Sequence, residues 1–339
     1  MNTPITAFSR KASLRLGRAS GFTLIEMMIS ITIGLGILAG LVGVLVSTSG
    51  NSKSNDRTSE LMTNGRYALN SIKQEMRQGG FRGYTWAEPS TPGPWVAPTA
   101  GCVGAEPGAT VGAFVSNIRQ GIWGADNSNP FAGVGNCIPD ADYAAGTDVV
   151  VVRRLAGSPI TGAALANTVY FQSSYNQGQV FRGAVVPVFT GTATPLASFA
   201  IQEYVYFIRP WTVSATENPQ IPALCRVALQ ANGTMATELV ASGIERMQVQ
   251  YGSLSTIPDM QYNNTLNGTS SDSPVTNPSY QWDEVDLVRI WLLARNTTAE
   301  PGYVNSTSYS MGNAPDYVPN DGFRRQMFTT VVQVRNVKG

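Results

Sequence analysis

Histidine is absent from all 339 residues of the chain. That removes Ser/His/Asp triads, Cys/His dyads, most zinc sites and the commonest general base near neutrality. Charge is scarce as well. Asp, Glu, Lys and Arg make up 13% of the residues, while glycine (34) and proline (20) are frequent. This balance suits a loop-rich β protein outside the cytoplasm better than a helical cytosolic enzyme. The three cysteines, Cys102, Cys137 and Cys225, lie far apart with no CxxC, which argues against a redox motif or a zinc ribbon. No GxxxxGK[ST], GxGxxG or GxSxG stretch has suitable surroundings, and no pair of acids stands out as an acid–base couple. The chain is therefore expected to be no enzyme and to need no cofactor and no metal.

The net charge of +1 hides an asymmetry. Arg10, Lys11, Arg15 and Arg18 crowd residues 1–21, where there is no acid; the remainder holds 19 basic against 22 acidic residues. A slightly acidic chain with scattered charge gives no electrostatic case for nucleic acid.

Phe22–Val46 reads FTLIEMMISITIGLGILAGLVGVLV, an apolar run with one charge, Glu26. As a helix it would measure roughly 37 Å, enough to cross a bilayer core. Basic residues lie only before it, so the N-terminus is expected in the cytoplasm and the rest exported. A secretory signal peptide, a plain single-pass anchor and something more particular compete here. The run is long for a signal peptide, and Val46–Gly50 is a poor cleavage site. Against the plain anchor stand Gly21, which ends the basic leader just before Phe22, and Glu26, whose carboxylate asks for a partner inside a membrane. A free amine exposed at Phe22 on a neighbouring chain would supply one. Gly34, Gly36, Gly40 and Gly43 interrupt the run; they suit either close helix packing or ordinary glycine tolerance in a membrane helix.

From Arg57 to Gln78 the pattern becomes amphipathic, with Leu61, Ala68, Leu69, Ile72 and Met76 at helical spacing and Gly79-Gly80 as a stop. The expected helix spans 22–79, with 22–46 in the membrane, 57–78 amphipathic and a polar join at Gly50–Ser54 where it can kink. Beyond it, 80–339 reads as a β-rich domain. Strand-like runs occur at Asp148–Leu155, Thr168–Gln172, Gln179–Val188, Gln202–Ile208, Leu224–Leu229, Met247–Tyr251, Val285–Ala294 and Gln326–Val334. Trp86–Gly101 and Asn263–Pro278 read as loops. The fold class is α+β, a long helix packed on an antiparallel or mixed sheet.

An odd cysteine count in an oxidising compartment suggests one disulfide and one buried thiol. Cys102 and Cys137 flank a Gly-, Ser- and Asn-rich stretch, so a bridge between them is expected, with Cys225 free in LCRVAL; the other two pairings stay open. Asp140, Asp142 and Asp148 lack calcium-loop spacing, and with Asp316 and Asp321 they read as solvated turns.

Gly21-Phe22-Thr23-Leu24-Ile25-Glu26 resembles the type IV prepilin signature. Glu238–Gly252, Val285–Arg295, Phe323–Asn336 and Gly65–Gly83 resemble segments of the PilW group of minor pilins. The resemblance implies a pilin-like fold, residues 1–21 as a leader removed by prepilin peptidase between Gly21 and Phe22, N-methylation of Phe22, and Glu26 steering docking in the filament. It implies a structural or priming subunit held in the inner membrane and then in the pilus. Its partners would be other minor and major pilins, with a tip adhesin as a further candidate. The competing functions are a J-type pseudopilin of type II secretion and, from another class, a membrane-anchored periplasmic enzyme.

Overall fold

The computed structural model describes residues 21–87, 102, 115–118, 120–132, 137–183, 185–189, 194–252, 282 and 285–336. The leader up to residue 20, most of Trp86–Gly101 and the whole of Asn263–Pro278 lie outside the described residues. Two units divide between Ser54 and Asn55, and each is taken by itself.

The first unit holds the start of helix α1, Leu24–Gln78, which runs through Gly50–Ser54 as helix without a break. Leucine and methionine favour the helix. Two hydroxyls within its apolar run are absorbed by the backbone: Ser30 Oγ donates to the Glu26 carbonyl at 2.7 Å, and Thr32 Oγ1 reaches the carbonyls of Met28 and Ile29. A polar side chain bonded to its own helix can enter a membrane without an unmet hydrogen bond. Among the described residues nothing covers its apolar side chains; Leu24, Ile33, Leu41 and Val46 are all more than half exposed.

In the second unit α1 buries Leu61, Gly65, Ala68, Ile72 and Met76, a stripe at helical spacing. Full burial of a Leu, Ile or Met side chain stabilises by about 1.5–3 kcal/mol. Gly65 is needed for close approach: a Cβ there would fall 2.1 Å from the Phe328 ring. Arg154 ties the same helix to the sheet through Glu75 at 2.6 Å.

Ten strands follow. β1 (Ile122–Ala125), β2 (Val149–Leu155), β3 (Val169–Ser173), β4 (Gly178–Arg182), β5 (Ala197–Arg209), β6 (Ala223–Leu229) and β7 (Met235–Ser242) form one sheet. The order is β1-β2-β5-β3-β4, with β6 paired to the C-terminal stretch of β5 and β7 beside β6. β8 (Ile244–Gly252), β9 (Leu287–Arg295) and β10 (Arg325–Gln333) form a second sheet in the order β10-β9-β8. Every pairing is antiparallel. The expected antiparallel β architecture is thus carried, among the described residues, by two sheets.

β2 is buried along its whole length, so its DVVVVRRL sequence reads as a core strand rather than an alternating one. The charges in it are neutralised in place. Arg153 sits opposite Glu203 in the β2–β5 register and bonds it at 2.6 Å, with neither side chain exposed. The short strand β1 and the exposed edge strand β7 carry little apolar alternation and escape a pattern reading. The expected strand Gln179–Val188 is shorter than its apolar letters suggest. It ends at Arg182 because Gly183 takes φ +97°, and Val185 and Val188 are then exposed.

Among the five aspartates expected in solvated turns, Asp148 does not fit. It is 1% exposed and joins the two sheets: its N–H donates to the Met247 carbonyl, and its carboxylate accepts from the N–H groups of Asn127 and Val249. Asp321 is half-buried and bonded to Arg325. Asp140 is exposed and Asp142 half-buried on a short 3₁₀ turn, and Asp316 accepts from Ser308 and Ser310 at the surface. Cys102 and Cys137 form a disulfide with Cα atoms 4.7 Å apart, and Cys225 is a buried free thiol on β6. Burial pushes that thiol up to about 11.

Candidate functional site

Gly21, Phe22 and Thr23 form an exposed, non-helical lead-in to α1, and Phe22 is 83% exposed. The first turn is held by a reciprocal pair. Glu26 N–H donates to Thr23 Oγ1 at 3.3 Å, while Thr23 N–H and the Thr23 hydroxyl both donate to Glu26 Oε2 at 2.8 Å. This is a capping box: Thr23 is the N-cap and Glu26 the third helical residue, so two otherwise orphaned backbone donors are met. Such a cap stabilises a helix start by about 1 kcal/mol. Its sequence signal is Thr-x-x-Glu ahead of an apolar run, which a reading of Glu26 as an isolated charge overlooks.

The geometry leaves half of the carboxylate available. Both bonds from Thr23 end on Oε2, and Oε1 has no hydrogen bond among the described residues. Glu26 can therefore cap its own helix with one oxygen and receive a cation with the other. The three sequence-nominated residues Gly21, Phe22 and Glu26 fall within the first turns at one exposed end, where a peptidase and a second chain could both reach them.

The surface beyond is uniformly apolar. α1 is the described helix long and apolar enough to cross a membrane, and none of the membrane-compatible stretch is buried within the chain. A Cβ at Gly34, Gly36, Gly40 or Gly43 would meet nothing within 4 Å, so contacts among the described residues do not account for these glycines. Among the described residues no group of three His, Cys, Asp or Glu is placed to hold a metal ion.

Comparison with known proteins places both ends of the chain. The family described as type IV pilus-assembly protein W matches residues 205–336, the stretch from the second half of β5 to just past β10. The prokaryotic N-terminal methylation motif matches residues 16–43, which include Gly21, Phe22 and Glu26. None of the curated proteins matches the chain. Among solved structures, a type IV-like pilin from Thermus thermophilus is similar at 13% identity and a TM-score of 0.35, covering 82% of this chain and 97% of its own.

Proposed function

We propose that the chain works as a minor pilin like those of the type IV pilus-assembly protein W family, whose model matches residues 205–336, and that it is processed and assembled as follows. Cleavage between Gly21 and Phe22 removes the basic leader and leaves Phe22 as a free, then N-methylated, chain start. The apolar part of α1 anchors the subunit in the inner membrane with its N-terminus cytoplasmic and its β domain outside. On assembly, helices exchange lipid for one another. Their uncovered apolar faces lose nothing by the exchange, so the direction and register must come from polar groups.

Glu26 supplies that register. A carboxylate within an apolar run costs about 2.5–3.5 kcal/mol at the centre of a membrane helix. The charged amine of Phe22 on the adjacent subunit would neutralise it, a pairing strengthened by the low dielectric of the helix core. The single observation that carries this reading is the disposition of Glu26: one oxygen committed to the Thr23 cap, the other open beside the exposed chain start. Prepilin peptidase and other pilins are the partners this requires. A structural and priming role follows, with no catalytic step. The family match at 205–336 favours the pilus over a type II secretion pseudopilus.

The test is Glu26→Ala. It should leave membrane insertion and leader removal intact while the subunit falls at least tenfold in sheared pili relative to the membrane fraction. Equal amounts of variant and wild type in sheared pili would contradict the docking role of Glu26.

A further inference from the structure

A cavity of about 500 Å³ opens on the β domain, far along the sequence from the N-terminal site, where the loop after β5 meets the start of β8 and the end of β9. Its volume is that of a small-ligand site. Pro210, Pro219 and Pro222 stiffen one wall, and Glu245, Arg246 and Arg295 form the other. A regular strand would send the consecutive residues Glu245 and Arg246 to opposite faces. The β8–β9 register slips between Ile244 and Arg246, and this bulge turns both toward the cavity.

Both acidic side chains that line this cavity are already engaged. Glu217 is saturated: its oxygens accept from the backbone N–H groups of Thr212, Val213 and Ile221 and from the Thr212 hydroxyl. Glu245 is also engaged. Its Oε2 accepts from Arg325 Nε at 2.6 Å, and its Oε1 accepts from Arg325 at 3.0 Å and from the Tyr317 hydroxyl at 3.2 Å. The two guanidinium groups are under-used by comparison. Arg246 makes one long bond, 3.5 Å, to the Gly146 carbonyl; Arg295 bonds the Gln220 carbonyl and stands 3.6 Å from Glu245. The Nε of each is buried with no partner among the described residues. Both lie over aromatic rings, Arg246 with its Cζ 3.9 Å from the centre of Tyr317 and Arg295 with its Cζ 4.2 Å from that of Phe323. A stacked guanidinium keeps its N–H fork in one plane, ready for a planar anion.

We propose that this cavity binds a carboxylate, held by the Arg246 and Arg295 guanidinium groups, as an acidic side chain of a partner protein or a small organic acid. A phosphate dianion fits less well because the acidic side chains of Glu217 and Glu245 line the same cavity, whereas a planar monoanion matches the guanidinium fork. The inference does not depend on Glu26 docking, since every residue it uses lies in the β domain.

The full-length mature chain in detergent micelles is titrated calorimetrically with three probes. They are an Asp/Glu tetrapeptide blocked at both ends, succinate and inorganic phosphate. Saturable binding of a carboxylate probe is expected, weakening at higher salt and falling at least tenfold in Arg246→Gln and in Arg295→Gln but not in the helix-surface control Arg77→Gln. Binding of the peptide alone assigns the site to protein side chains, and comparable binding of succinate assigns it to free acids; both support the proposal. Failure of both carboxylate probes to bind saturably overturns it, as does tighter binding of phosphate than of both. Unchanged affinity in the arginine variants overturns it too. Arg295 also braces Glu245 and Phe323, so if Arg295→Gln loses its far-UV circular dichroism, Arg246→Gln decides alone.

Discussion

At the scale of single residues, burial sets the chemistry of Asp148. Removal from water is the largest influence on it and outweighs the two backbone N–H groups that favour its charged form; the neighbouring carboxylate of Asp126 adds to the effect, and its pKa rises to about 8. An unfolded chain releases this proton near the ordinary value of 3.8, so between these limits the native state holds one proton more. Stability must therefore fall as pH rises through that window. Thermal melts at pH 5, 6.5 and 8 should show a declining midpoint for the wild type. Asp148→Asn, neutral at every pH, should flatten that decline; an unchanged slope in the variant would remove Asp148 as its cause. The Thr23–Glu26 cap belongs to the same scale: one carboxylate serves a helix end and remains half free.

At the scale of elements, β2 is the strand on which the β domain depends. It pairs with β1 and β5, receives α1 through Arg154 and Glu75, and its N-terminal neighbour Asp148 bonds to β8. Arg153 lies within it with no exposed surface, balanced by Glu203 across the β2–β5 pair. Removing one member of a buried ion pair strands the other and costs about 3–5 kcal/mol. Glu203→Ala is expected to lose stability of that size in urea melts, whereas the double change Arg153→Met with Glu203→Leu should recover most of it. Equal losses in the single and double variants would show that packing at these positions, not the stranded charge, dominates.

At the scale of the whole molecule, the parts legible in the sequence are those written as periodicity or as ordered motifs. The buried stripe Leu61, Ala68, Ile72 and Met76 sits at helical spacing, and the apolar blocks of β2, β6, β8 and β9 fall where strands form. The prepilin-like junction was readable because leader charge, Gly21, Phe22, Glu26 and the apolar run follow one another within a few turns. What escaped depends on partners distant in sequence. Asp148 looks like a turn residue until β8 closes over it, and β7 is an exposed edge whose pairing with β6 leaves no alternation. The arginine pocket gathers Arg246, Arg295 and Tyr317 from separate segments, aided by a bulge that no local pattern announces. A division into two sheets is likewise a matter of long-range pairing.

The central claim is that the working molecule begins at Phe22 and presents a charged chain end there. Mass spectrometry of the N-terminal peptide from sheared pili and from membranes tests it directly. The account predicts a peptide starting FTLIEMM with a single methyl group on the Phe22 nitrogen. A native chain that still starts at Met1, or one cut beyond Val46, would leave Glu26 without its partner and would contradict the account.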